Sequence, residues 1–117
     1  MRSEMSEYEA VMFGYLDGNL GAAVVSCRRG RASAAFDRLN KYFTVCNMPV
    51  VSSQYWNQVH GFTPDDVRRD LEGMQTMRTL AQNMAWLLKC IDAGRERGIG
   101  RPAYEPHLWT HFIMPSE

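Results

Sequence analysis

The sequence lacks most of the features that mark secreted, membrane-spanning and nucleic-acid-binding proteins. It has only three cysteines and no CxxC pair, which argues against a disulfide framework or a structural zinc site. Its 13 basic residues balance 13 acidic ones, so no net charge attracts nucleic acid or an anionic membrane. No apolar run approaches the length of a membrane span, and we expect a cytoplasmic protein.

Standard enzyme signatures are missing as well. The chain contains no GxGxxG, GxxxxGK[ST] or GxSxG motif, which removes the usual dinucleotide, P-loop and nucleophile-elbow signatures. Its histidines, at positions 60, 107 and 111, have no accompanying carboxylate motif, so we expect no metal site. With 117 residues, the chain forms at most one domain.

What the sequence does contain is a strand–helix–strand–helix pattern, which is typical of a parallel α/β domain. Residues 21–26 and 48–52 are short, apolar and without alternation, like strands buried on both faces of a parallel sheet. A helix from residue 32 or 33 to residue 46 should connect them, with Ser33 as a possible N-cap. The loops after the two strands should then emerge on one edge of the sheet, where α/β domains bind ligands.

The strongest local signal is a helix start at Thr63. Thr63 has the character of an N-cap, Pro64 fits the first helical position, and two aspartates follow in the first turn. Apolar residues then recur at helical spacing, so we predict one helix that continues to about Ala93. An amphipathic helix over residues 3–15 and an extended tail over residues 98–117 complete the expected architecture.

A basic loop follows the first predicted strand. Arg28, Arg29 and Arg31, together with free N–H groups at the next helix start, suit phosphate or a nucleotide. The alternative is a solvated basic loop without a ligand.

An aromatic and polar loop follows the second predicted strand. Tyr55, Trp56 and His60 lie close together in the sequence among Ser, Gln and Asn side chains. Flat aromatic faces beside amide groups suit a planar ring system. The alternative is an aromatic anchor in a subunit interface, where Trp and Tyr are enriched.

These segments resemble the NADPH-dependent FMN reductases of the flavodoxin-like fold. The resemblance lies in residues 21–30 (GAAVVSCRRG), 34–43 (AAFDRLNKYF) and 48–61 (MPVVSSQYWNQVHG), and it continues through residues 72–80, 83–89 and 105–113. It implies a three-layer α/β/α fold, truncated to the last two parallel strands and three helices, in a single partial domain over residues 1–117. It also implies an oxidoreductase that passes electrons from NADPH through FMN to an acceptor.

The resemblance assigns cofactor contacts to the two loops and implies no particular catalytic residue. The loop beside the flavin ring corresponds to Ser26, Cys27, Arg28, Arg29 and Gly30. The loop near the outer edge of the site and the dimer contact corresponds to Ser53, Tyr55, Trp56 and Asn57. Position 31 departs from the family pattern, because a second glycine is expected where this chain has Arg31.

Three interpretations of the chain remain open, and the third is that the sequence is a truncated reading frame. In the first, it is a flavin oxidoreductase segment whose missing strands and phosphate-binding loop come from another chain or from a copy in a homo-oligomer. In the second, it is a non-catalytic remnant that acts as an oligomerisation or interaction module. The second rests on the open edges of a two-stranded sheet, which would leave the side chains of Val24, Val25, Val50 and Val51 partly uncovered.

Overall fold

The structure, a computed structural model, describes residues 17–110 and 112–113 and has mixed helix and strand. Its elements in chain order are β1 (Val25–Cys27), α1 (Ala32–Val45), β2 (Gln58–His60), α2 (Pro64–Arg69) and α3 (Leu71–Glu96). The two strands pair in parallel, so the α/β class expected from the sequence is confirmed. Helix α1 packs mainly against β1, and α3 packs mainly against β2.

The second strand is displaced along the chain from its predicted position. Residues 48–52 supply only an isolated parallel bridge between Gly21 and Val50. The chain then leaves the ladder and returns eight residues later, where Gln58 pairs with Val25. Polar groups explain the departure, because the Ser53 hydroxyl donates to the Thr76 carbonyl oxygen of α3 at 2.7 Å. The prediction that residues 48–52 form the whole second strand is therefore wrong.

The helix predicted from Thr63 to Ala93 is two helices. The Thr63 N-cap is confirmed, since its hydroxyl accepts from the Asp66 N–H and the Asp66 carboxylate accepts from the Thr63 N–H. The chain breaks at Asp70, which ends α2 and caps α3. Helix α3 ends at Glu96 in a Schellman motif: the N–H groups of residues 98 and 99 donate to the carbonyl oxygens of residues 95 and 94.

Helix α1 has its predicted range, but its N-cap is not the predicted residue. Its N-cap is Arg31, not Ser33, and no side chain caps its first turn. Arg31 has φ of +73°, in the left-handed region that favours glycine. Among its apolar residues Leu39 is exposed, and Cys46, which follows the helix, is buried.

The core is small and lies around the sheet. Its buried apolar side chains are those of Ala23, Ala32, Cys46, Met48, Val51, Val59 and Leu80. Of the four valines expected to be partly uncovered, Val51 is 2% exposed, whereas Val24 and Val50 are 53% and 37% exposed. Among the described residues, more large apolar side chains are exposed than buried, so the sheet and helices leave apolar surface in contact with water.

The remaining predicted segments flank this core. The helix predicted over residues 3–15 lies outside the described residues. Residues 99–110 form no regular helix or strand, as expected for an extended tail, and residues 101–110 are exposed. Within the described part of the chain, no helix is long and apolar enough to cross a membrane.

Replacing Gly73 with alanine should destabilise the fold by about 1–3 kcal/mol. A Cβ at this position would lie 2.9 Å from Cγ1 of Val59 and would clash with the Asp70 carboxylate. Gly94 provides the matched control in the same helix, because a Cβ there meets only an ordinary contact at 3.7 Å. Helix propensity alone favours alanine by roughly 1 kcal/mol at both positions, so Gly94→Ala should stabilise. Urea denaturation measures both changes, and equal effects would contradict this account.

Replacing Arg31 with glycine should stabilise the fold by about 0.5–1 kcal/mol, because glycine adopts the left-handed conformation without a Cβ penalty. Arg29, in the same loop with an ordinary φ, is the control, and Arg29→Gly should be neutral or destabilising. Thermal unfolding of both variants measures the difference. A loss of stability in Arg31→Gly would show that the Arg31 side chain contributes more than its backbone conformation costs.

Candidate functional site

Arg28 lies at the carboxyl edge of β1 and stacks on an aromatic ring from the end of β2. Its Cζ atom is 4.7 Å from the centroid of the Phe62 ring. The backbone joins the two strands here, because the Gly61 N–H donates to the Cys27 carbonyl oxygen at 3.0 Å. Arg28 and Phe62 are both exposed, and Phe62 is 73% exposed. The edge therefore offers a cation and an apolar face side by side.

The loop that follows β1 leads directly into an uncapped helix start. Arg29 and Gly30 are exposed, and a Cβ placed on Gly30 would meet no atom within 4 Å. Helix α1 begins after Arg31 without a side-chain cap and without an acidic residue in its first turn. Its first N–H groups follow directly after Arg28, Arg29 and Arg31 in the chain, and uncapped N–H groups next to arginines suit an anion.

The loop that contains the other predicted contacts is fastened to β1 and α3. Asn57 is 1% exposed, and its side-chain amide donates to the Ala23 carbonyl oxygen at 3.0 Å. The Ser53 hydroxyl is engaged with α3, as described above. Tyr55 and Trp56 are each 52% exposed and lie with ring centroids 5.2 Å apart. Of these four residues, only the two aromatic ones present free faces to a ligand.

A recess of about 250 Å³ connects the aromatic loop with the end of β2. Tyr55, His60, Asp70 and Glu72 line it together with Gln58, whose Oε1 atom is buried and has no partner among the described residues. Asp70 organises its floor: Oδ1 accepts from the Gly73 N–H at 2.9 Å, and Oδ2 accepts from the His60 N–H at 2.8 Å. These backbone donors, first Gly73 and then His60, lower the pKa of Asp70.

The two predicted loops do not emerge together at one edge, and that expectation is corrected. Ser26, Cys27 and the residues up to Gly30 lie at the carboxyl edge of β1, whereas Asn57 lies beside Ala23, near its amino end. Tyr55 extends toward the edge, because it lines the same recess as His60. The residue that accompanies Arg28 is Phe62, which the site prediction missed. The sequence pattern that could have located Phe62 is the polar–apolar–polar alternation Gln58-Val59-His60 before Gly61, which is typical of the end of a strand.

Thiols and metal-ligating groups add little to this site. Cys27 is half-buried, Cys46 is buried and Cys90 is exposed, all as free thiols. Within residues 17–110 and 112–113, no three His, Cys, Asp or Glu side chains converge in a way that could hold a metal ion.

Comparison with known proteins gives no relative for this arrangement. No family model, no curated protein and no solved structure matches the chain.

The charge of Asp70 should make the stability of the fold depend on pH. Because the folded-state pKa is lowered, Asp70 contributes stability above the unfolded pKa of about 4, and this is lost as the pH falls through the folded pKa. Asp70→Asn keeps a capping oxygen and removes the charge. We expect wild type to exceed this variant in stability at pH 7, and the gap to shrink below about pH 4. Denaturation across this range measures it, and a gap independent of pH would refute the assignment.

Proposed function

We propose that this chain is the ring-side part of a flavodoxin-like NADPH-dependent FMN reductase. The observation that carries the proposal is the backbone of Arg31, which has the left-handed conformation of a glycine. The resemblance described above leads us to expect a glycine at this position. A loop of that shape, at the carboxyl edge of a parallel strand, is where open α/β sheets bind nucleotides.

The residues at this edge are compatible with a flavin. Arg28 and Phe62 offer a cation and an apolar ring to a planar ligand that carries carbonyl oxygens, and the space beside Gly30 is open. The uncapped N–H groups of α1 can donate to carbonyl oxygens or to an anion. Tyr55 can contribute from the recess at the end of β2. A bound flavin would supply the redox chemistry, and these residues would bind and orient it.

The described residues provide only one side of such a site. The family's phosphate-binding loop, which follows the first strand of the complete domain, has no counterpart among them. The remaining contacts would come from another segment or another chain. NADPH as the electron donor and an acceptor of unspecified chemistry follow from the same resemblance.

Flavin titration tests the proposal. Binding of riboflavin and of FMN should each quench the fluorescence of the flavin. Because the ring-side contacts are present and the phosphate loop is not, the two dissociation constants should agree within about threefold. Arg28→Ala should weaken both by roughly 5- to 10-fold. Trp86→Ala, an exposed aromatic residue of α3 outside the edge, should change neither. Absence of flavin binding at millimolar concentration would refute the proposal for the isolated chain, and NADPH oxidation followed at its absorbance band tests turnover.

The second candidate function is an interaction module without catalysis. Exposed apolar side chains next to the sheet, such as those of Val24 and Val50, favour an interaction module. Flavin binding separates the two candidates, since an interaction module has no reason to distinguish Arg28→Ala from Trp86→Ala.

A further inference from the structure

Helix α3 extends well beyond the sheet on which it packs. Its 26 residues span about 39 Å, yet its buried residues, Gly73, Thr76 and Leu80, all lie in its first ten positions. The apolar stripe continues in helical register through Leu87 and Ile91. Ile91 is 42% exposed and the neighbouring Leu88 is 52% exposed. The second half of the helix therefore has an apolar stripe that is not buried against other side chains of the core.

A groove runs beneath this uncovered stripe. It has a volume of about 870 Å³ and lies between the last turns of α3, the end of α1 and the segment that enters β1. Residues 99–102 and Tyr104, which follow α3 in the chain, line another part of it and leave the rest open. Leu87, Leu88 and Ile91 form its α3 wall, and Met48 and Pro49 lie opposite. We call this feature the overhang groove.

The same chain carries a segment whose large apolar side chains are exposed in the described part of the chain. We call residues 105–110 and 112 the C-terminal arm. An ion pair of 3.0 Å joins Arg101, four residues before the arm, to Asp17. Beyond it, Leu108, Trp109 and Phe112 are 82%, 63% and 92% exposed. The ring centroids of His107 and Trp109 lie 4.0 Å apart, so these two side chains of the arm contact each other.

We propose that the C-terminal arm docks in the overhang groove of a second copy of this chain, and that the partner returns the contact. Trp109 and Phe112 together expose roughly 250–400 Å². With an equal area of groove covered and the contact made twice, the interface buries about 1,000–1,600 Å², which is the size of a stable dimer interface. Reciprocal exchange is isologous, so two copies close the assembly.

Charge supports the same pairing. The groove wall contains Arg95 and the arm begins with Glu105, and neither has an ion-pair partner within the described part of the chain. Docking the arm from a second copy brings an acid to a groove lined by a base. The pairing selects the arm's orientation more than it adds affinity, because exposed ion pairs contribute little.

Sedimentation of the whole chain tests the proposal without flavin, so its outcome is separate from that of the proposed function. Wild type should sediment as a dimer of a 13.4 kDa chain. Trp109→Ala combined with Phe112→Ala should weaken the dimer by about 10- to 100-fold. Leu88→Glu, in the groove wall, should do the same. Trp86→Ala is the matched control, because Trp86 is 62% exposed, like Trp109, but does not line the groove.

Each outcome decides the proposal. Loss of the dimer in both the arm and the groove variants, with Trp86→Ala unchanged, supports the exchange. A monomeric wild type at micromolar concentration overturns it, and so does a dimer that survives either change. Circular dichroism of Leu88→Glu checks that the variant is folded. In a Cys90→Ser background, which removes the native thiol from the groove, an added mild oxidant should form a disulfide between Leu88→Cys of one copy and Trp109→Cys of another, and absence of this crosslink would contradict the exchange.

Discussion

The carboxylate of Asp70 joins the end of β2 to the start of α3, and much of the local geometry depends on that junction. One oxygen accepts from the His60 N–H and the other from the Gly73 N–H, so a single side chain terminates a strand and caps a helix. The helix then approaches β2 closely enough that no Cβ fits at Gly73 beside Val59. The recess beside His60 exists because this approach is fixed. A carboxylate held by two backbone donors also keeps its charge at lower pH than a free one.

The interrupted second strand decides which residues meet at the carboxyl edge. Val50 begins the pairing, the chain departs to hydrogen bond with α3, and β2 resumes the ladder opposite Val25. This excursion leaves Asn57 buried against β1 and brings Phe62 beside Arg28. Ligand contacts at this edge therefore depend on backbone register, since a shift of the ladder would replace the aromatic partner of Arg28.

Surface that remains apolar connects the two proposals. A core built around two three-residue strands cannot cover a helix of 26 residues, so part of α3 stays exposed. The one-sided character of the proposed flavin site and the half-covered stripe of α3 have the same physical cause, which is too few layers on the sheet. Additional chain, from a second copy or another segment, would bury apolar area that this fold leaves in water.

Local patterns in the sequence determined the elements whose causes are local. The Thr63 cap, the range of α1 and the parallel α/β class were predicted because capping residues, helical periodicity and unalternating apolar runs act over a few positions. The family resemblance and the cofactor remain predictions. Only the tertiary structure decided that the strand resumes at Gln58 and that Asp70 divides the helix. The position of the strand and the division of the helix both depend on hydrogen bonds between segments that are distant in sequence or packed across an element boundary. The periodicity of the sequence does not indicate which groups form those hydrogen bonds.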